Sequence, residues 1–99
     1  MSDLPRLSVT ERLIIELLTA HEELFGLRMV ELSEGRLKRG TVYVTLGRME
    51  AKGFVASEQE PSHPGAIGLP RRIYRITELG GRALAAWKTF TNELAWGKR

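Results

Sequence analysis

The sequence predicts one mainly helical α+β domain, and two features of its pattern indicate this fold class. Apolar residues recur at three- and four-residue intervals over most of the chain, which is typical of amphipathic helices. Between residues 54 and 77 the pattern changes to alternation on either side of a loop rich in proline and glycine, which indicates two short strands. A length of 99 residues, with 42% hydrophobic and 27% charged residues, suits a single globular domain.

The first helix is predicted over residues 9–20. Ser8 and Glu11 have the spacing of a capping box, in which two side chains satisfy backbone N–H groups at the helix start. Glu22 and Glu23 oppose the helix dipole, so the chain is expected to have left the helix there. The apolar residues of the helix fall on one side, at Leu13, Ile14, Leu17 and Leu18.

The second helix is predicted over residues 26–33. Leu27 and Val30 are its expected buried positions, with Met29 as a further candidate. Gly35 follows as a stop signal, because glycine readily adopts the left-handed conformation that ends a helix.

The third helix is predicted over residues 39–52. Its core stripe consists of Val42, Leu46 and Met49, and Gly53 is expected to end it. The connection from the second helix is short, which is typical of a helix-turn-helix.

Residues 54–60 and 71–77 are predicted as the strands of a β-hairpin. The segment 61–70 between them consists largely of turn-forming residues. The expected inward positions are Phe54 and Ala56 in the first strand, and Ile73 and Ile76 in the second, with arginines outside. The hairpin after three helices is typical of the wing of a winged helix-turn-helix.

A final helix is predicted to begin at Thr77 and Glu78, a good N-cap and first-turn pair. It is too apolar to stay solvated, and a second copy of the chain would bury it. We therefore predict a DNA-binding region over residues 1–77 and a dimerisation helix over 78–99, within one compact domain. The residues expected to pair two chains, or alternatively to bind an effector, are Leu79, Ala83, Trp87, Phe90, Leu94 and Trp96. Trp87 and Trp96 could also stack on a flat ligand, although packing is the more frequent role of such residues.

Charge is distributed unevenly along the chain. Residues 1–34 carry three basic and seven acidic side chains, whereas residues 35–99 carry twelve basic and five acidic ones. This asymmetry indicates one face directed at a polyanion, and the alternative is a charged surface that only maintains solubility. Double-stranded DNA is the predicted partner.

The third helix supplies most of the predicted DNA contacts. Lys38 and Arg39 lie where the helix dipole is already positive, which a bound phosphate would favour; the alternative is an ordinary solvated basic turn. Gly47 costs about 1 kcal/mol in a helix interior relative to alanine, which close approach of a neighbouring backbone or of DNA would explain. The predicted base-reading or backbone-contacting residues are Thr41, Val44, Thr45 and Arg48.

Arg71 and Arg72 adjoin the predicted wing loop. An arginine near a wing tip can bind a minor groove or its phosphates, so both are predicted to contact DNA. The alternative role is protection of a sheet edge against aggregation by its charge.

Two segments of the chain resemble the PadR family of winged-helix transcriptional regulators. Residues 40–43 (GTVY), 48–50 (RME) and 52–55 (KGFV) match its third-helix pattern, and residues 70–80 (PRRIYRITELG) match its wing motif. The resemblance implies a dimeric repressor that binds a pseudo-palindromic operator and releases it on binding a small hydrophobic or aromatic compound. It also implies that Tyr43 contacts a backbone phosphate or braces the third helix. Lys38 and Arg39 replace the family's capping Ser-Pro, and the C-terminal region is short, like that of its smaller members.

Other classes of function find little support in the sequence. His21 and His63 are the only histidines, neither has a metal-like partner spacing, and no nucleophile or phosphate-loop motif is present, so neither an enzyme nor a cofactor is predicted. No apolar run approaches a membrane span, and the absence of cysteine fits a reducing compartment, so we expect a cytoplasmic protein. A winged helix that binds another protein is the main alternative.

Overall fold

Four helices and a three-stranded antiparallel sheet make up the fold in a computed structural model. The structure describes residues 7–61 and 71–97, except for the side chains of residues 90–97. The elements in chain order are α1 (Val9–His21), β1 (Glu23–Phe25), α2 (Gly26–Leu32), α3 (Arg39–Ala51), β2 (Val55–Gln59), β3 (Arg72–Ile76) and α4 (Glu78–Gly97). No helix in the described part of the chain combines the length and apolar character needed to cross a membrane.

The start of α1 has the predicted capping box. The Glu11 N–H donates to Ser8 Oγ at 3.1 Å, and the Ser8 N–H donates to Glu11 Oε1 at 2.9 Å. Three α1 side chains (Ile14, Ile15 and Leu18) are fully buried. The helix ends at Glu22, whose positive φ of 65° turns the chain into β1.

The sheet has the strand order β1-β3-β2, with β3 in the centre. The sequence predicted only β2 and β3. In the added strand Leu24 lies opposite Tyr74, which in turn lies opposite Ser57 of β2. Because side chains alternate across a strand, Leu24 and Tyr74 face the core, where both are buried.

Of the predicted inward positions of the hairpin, Phe54 and Ile76 pack against the core, whereas Ala56 and Ile73 do not. Val55 is buried, whereas Ala56 is exposed and Phe54 is half-buried before the strand begins. In β3 the residue buried most deeply is Tyr74, with Ile73 half-buried on the opposite face. Residues 54–56 are all apolar, so alternation could not show which of them points inward.

The helix-turn-helix is held by a fully buried serine. Ser33 Oγ donates to the Val30 carbonyl at 2.8 Å and accepts the Leu37 N–H at 2.9 Å, which joins the end of α2 to the turn before α3. In α2 the buried side chain is Met29, whereas Leu27 is 41% exposed. The expectation that Leu27 is buried was therefore wrong, because a seven-residue helix is too short for its apolar phase to be fixed by spacing.

The core stripe of α3 is confirmed, since Val42, Leu46 and Met49 are fully buried. The helix ends at Gly53, whose φ of 84° lies in the left-handed region. A Cβ at Gly80 would overlap the Phe54 carbonyl oxygen, so the start of α4 packs directly on the backbone after α3.

Candidate nucleic-acid interface

The exposed face of α3 lies opposite its core stripe. Thr41, Val44 and Arg48 are exposed there, as the sequence predicted, and Val44 is 59% exposed. Thr45 is 5% exposed, so its predicted place on this face was wrong. A helix packed against several elements buries a stripe more than 100° wide, and Thr45 falls inside that stripe beside Leu46.

The centre of the exposed face carries little side-chain bulk. Gly40, Val44 and Gly47 follow one another at i, i+4 and i+7, which places them along one line of the helix. No atom of the described residues lies within 4 Å of the position that a Cβ would take at Gly40 or Gly47. Close approach of another described residue therefore does not explain why position 47 is a glycine. Of the two explanations that the sequence suggested, close approach of DNA remains.

The N-terminus of α3 combines free cations with free amides. Lys38 is the N-cap residue in extended conformation, and its side chain forms no capping hydrogen bond. The N–H groups of Thr41 and Val42 both donate to the Lys38 carbonyl. The amides of Arg39 and Gly40 come before them and have no carbonyl partner in the helix.

Three basic side chains of this helix form no ion pair with the described residues. They are Lys38, Arg39 and Arg48, and each is exposed. Since no described carboxylate pairs with them, these three side chains present their positive charge to solvent. This pattern is expected of a surface whose counterions belong to a binding partner.

Tyr43 packs between α3 and α2. A Cβ on Gly26 would lie 2.6 Å from the Tyr43 ring, so the glycine allows the tyrosine to lie flat against the start of α2. Tyr43 nevertheless stays 45% exposed. This position allows it to brace α3 while its outer edge faces solvent.

The two adjacent wing arginines point to opposite faces of the sheet. Arg72 shares the face of Tyr74, toward the helices, and its Nε donates to Ser57 Oγ at 2.9 Å. Ser57 Oγ donates in turn to Glu50 Oε2 on α3 at 2.8 Å. The sequence did not indicate Ser57 or Glu50, because their meeting depends on the register of β2 with β3.

Arg71 lies on the outer face, where it is already paired. Its Nε and Nη2 donate to the Glu60 carboxylate at 3.0 and 3.2 Å, and its guanidinium stacks 4.0 Å from the Phe25 ring centre. The Glu60 hydrogen bonds raise the pKa of Arg71 above its ordinary value. On the same face Arg75 is shared between two carboxylates, at 3.0 Å from Glu23 and 2.9 Å from Glu58.

A cleft of about 980 Å³ separates the start of α3 from the wing strand β3. Burial raises the pKa of Tyr74, and the Glu50 carboxylate adds to the effect, so this phenol stays neutral at pH 7. Cationic and aromatic side chains share the lining with two acidic ones, Glu23 and Glu31. The lining includes Phe25, Arg39, Tyr43, Arg71, Arg72 and Tyr74.

The predicted dimerisation residues are only partly described. Leu79 is 43% exposed, Ala83 is buried, and Trp87 is half-buried with the Arg12 guanidinium 4.6 Å from its ring centre. The remaining candidates, whose side chains lie outside the described residues, are Phe90, Leu94 and Trp96.

The described residues contain no candidate metal site. No three His, Cys, Asp or Glu side chains of that part of the chain lie close enough together to hold an ion. His21 is exposed at the end of α1, and His63 lies outside the described residues.

Comparison with known proteins relates this architecture to bacterial regulators. The model of the transcriptional regulator PadR-like family matches residues 14–86. The transcriptional regulator Rv3488 of Mycobacterium tuberculosis is 42% identical over 60 residues, which cover 61% of this chain and 52% of that protein. The chain thus spans about half the length of this curated relative.

Solved structures show the same fold. A PadR family transcription regulator from Clostridium difficile R20291 has a TM-score of 0.72 and 26% identity, over 89% of this chain and 92% of that one. Bacillus subtilis PadR in complex with operator DNA has a TM-score of 0.71 and 21% identity, over 81% of this chain and 46% of that one. At that identity the second likeness concerns the fold alone.

Proposed function

Since this chain belongs to the PadR-like family of transcriptional regulators, we propose that it represses transcription by binding a pseudo-palindromic DNA operator as a homodimer. Membership in a family of regulators also confirms the prediction that the chain is not an enzyme. The observation that carries the proposal is a set of cations at α3 that form no ion pair with the described residues, namely Lys38, Arg39 and Arg48.

In this proposal α3 enters the major groove with its glycine-containing face toward the bases. The absence of side chains at Gly40 and Gly47 brings the helix axis close to the base edges. Val44 is then placed to contact a thymine methyl, and Arg48 to donate to guanine O6 and N7. Thr41 contacts a base edge or the sugar-phosphate backbone beside them.

Phosphates are bound at the two ends of the cleft. Lys38, Arg39 and the first amides of α3 bind one backbone phosphate, which also interacts favourably with the helix dipole. Arg72 faces the same side from β3 and binds the backbone as it leaves the major groove. Tyr43 lies between them and braces α3 against α2.

Arg71 is proposed as a weaker contributor than Arg72. A phosphate would have to compete with the bidentate Glu60 carboxylate for its guanidinium. The stacking on Phe25 also fixes Arg71 on the outer face of the sheet. A structural role within the sheet therefore suits Arg71 better than Arg72.

The proposed homodimer and the proposed effector both involve residues of α4. A helix with three aromatic residues among positions 87–96 is expected to pair with a second copy, which places two α3 helices on successive half-sites. Release by a small hydrophobic or aromatic compound follows from the family resemblance, and Trp87 and Trp96 are the residues proposed to contact it. The structure of Bacillus subtilis PadR in complex with operator DNA shows that this fold binds DNA in that protein.

The test is a titration of the protein with duplexes selected from genomic DNA at several salt concentrations. Affinity is expected to fall steeply with salt, because each phosphate contact releases counterions. Lys38→Ala should weaken binding to selected and mixed duplexes alike and lower the salt slope by about one unit. Arg48→Ala should cost about 1–3 kcal/mol on the selected duplex and reduce the preference for it.

Two outcomes would contradict the proposal in different ways. If both variants kept wild-type affinity, the assigned face of α3 would be wrong. If the wild-type protein showed no salt-sensitive duplex binding, the alternative function, a winged helix that contacts another protein, would be favoured.

A further inference from the structure

Ser57 connects three elements of the fold, α3, β2 and β3. Its Oγ donates to Glu50 Oε2 of α3 at 2.8 Å and accepts from Arg72 Nε of β3 at 2.9 Å, while Ser57 itself belongs to β2. One hydroxyl group thus joins α3 to both strands of the wing.

The direction of these hydrogen bonds is set by the groups involved. The Glu50 carboxylate can only accept, so it takes the single hydroxyl hydrogen of Ser57. The lone pairs of Ser57 Oγ are then free to accept the Nε–H of Arg72. Glu50 therefore orients Ser57, and Ser57 orients Arg72.

This arrangement leaves the binding edge of Arg72 available. A guanidinium group carries five N–H donors in a planar fork, and Ser57 occupies only the one on Nε. The terminal Nη1 and Nη2 groups form no ion pair within the described residues, and Arg72 lines the cleft that also contains Arg39. A guanidinium group that is already held at Nε loses less rotational freedom when its Nη1 and Nη2 groups bind a phosphate.

We propose that Ser57 is a positioning residue that holds Arg72 in the cleft for bidentate binding of a DNA backbone phosphate. The inference rests on the proposed DNA-binding function and adds to it a determinant that carries no charge. It also implies that α3 and the wing are fixed relative to each other before DNA binds, because Glu50 lies on the helix and Arg72 on the wing.

Ser57→Thr and Ser57→Val form the matched pair for the test. Threonine and valine are both β-branched and suit a strand, but only threonine retains the hydroxyl group. Binding of a mixed-sequence DNA duplex, long enough for two half-sites, is measured for wild type, S57T, S57V and R72A at several salt concentrations. Thermal unfolding of each variant establishes that it is folded.

We expect S57T to bind as wild type does, and S57V to bind about three- to tenfold more weakly. S57V should also lower the salt slope toward that of R72A, by up to about one unit, although it removes no charge. In an R72A background S57V should add no further loss, since its effect acts through Arg72. A merely structural role for Ser57 would leave the salt slope unchanged.

The inference and the proposed function fail in distinguishable ways. If the wild-type protein shows no salt-dependent duplex binding, the proposed function fails and the inference with it. If wild type binds as proposed but S57V and S57T share one affinity and one salt slope, only the positioning role is overturned. R72A with wild-type affinity and slope would also overturn it.

Discussion

Gly47 occupies an exposed position in the interior of α3, where glycine destabilises a helix by about 1 kcal/mol relative to alanine. Packing within the described part of the chain does not require a glycine there, since none of its atoms lies within 4 Å of where a Cβ would be. The same holds at Gly40, two turns earlier on the same line of the helix. The proposed DNA interface gives both residues a role, because a bare backbone can approach base edges closely.

Gly47→Ala is therefore expected to stabilise the protein and weaken DNA binding together. The free energy of unfolding should rise by about 1 kcal/mol, from helix propensity alone. Duplex affinity should fall by about tenfold, equivalent to about 1.4 kcal/mol, because the added methyl group holds the helix away from the bases. Chemical denaturation and duplex titration measure the two effects separately.

Gly81→Ala is the matched control for this prediction. Gly81 also lies within a helix, α4, and a Cβ there would likewise meet nothing within 4 Å. This variant should gain stability by a similar mechanism and keep wild-type affinity. If G47A bound DNA as well as G81A does, close approach at Gly47 would be ruled out.

At the scale of elements, an ion pair between a buried glutamate and a half-exposed lysine joins the start of α1 to the end of α3. Glu11 Oε2 lies 2.8 Å from Lys52 Nζ, and the Glu11 side chain is only 6% exposed. Burial alone would raise the pKa of Glu11, but hydrogen bonds from Lys52 and from the Ser8 backbone outweigh it and lower the pKa. The pair thereby fixes the end of the helix proposed to read DNA.

Glu11→Gln is expected to lower the free energy of unfolding by about 1–2 kcal/mol at pH 7, since Lys52 is partly solvated. Glutamine still satisfies a capping box, so the substitution removes mainly the charge. Because folding lowers the pKa of Glu11, its stabilisation is present above the ordinary glutamate value of 4.5 and is lost as the pH falls below it.

Unfolding curves of wild type and E11Q from pH 7 to pH 3 check this dependence, and the two stabilities should converge at the acidic end. Glu16→Gln, on the same helix, serves as the control and should change stability little at either pH. A stability difference between E11Q and wild type that did not depend on pH would show that the lost interaction is not the ion pair.

The sequence predicted the long helices well, because thirteen residues contain enough apolar positions to fix their phase. Residue spacing was sufficient to predict the buried stripe of α3 at residues 42–49 and the capping box of α1. It failed for α2, whose seven residues expose Leu27, and for β1, whose three residues are too few to show alternation.

The candidate site was predictable where it depends on one helix and not where it depends on strand register. Helical geometry alone placed Thr41, Val44 and Arg48 on the exposed face. It could not show which of Arg71 and Arg72 faces the helices, because Ile73 was assigned to the wrong face of the hairpin. The link through Ser57 requires the pairing of β2 with β3, which a single sequence does not contain.

For the whole molecule, which cations are paired with carboxylates matters more for phosphate binding than the net charge of +3. On the outer face of the sheet, acids from the neighbouring strands neutralise Arg71 and Arg75. The unpaired cations of α3 then form the part of the described surface that is best suited to phosphate. We infer that the uneven charge of the sequence serves one face of the molecule, and a dimer would present two such faces to one duplex.

Leu94→Glu tests this last point, because it places a charge in the proposed dimerisation helix. The wild-type protein should sediment as a dimer at micromolar concentration, and L94E as a monomer. Loss of the second linked domain should weaken binding to a selected two-half-site operator by about a hundredfold. On a duplex cut to one half-site the two proteins should bind alike, since α3 and the wing are unchanged. A wild-type monomer that binds the full operator tightly would contradict dimerisation, and weaker binding of L94E to the half-site would indicate damage to the fold instead.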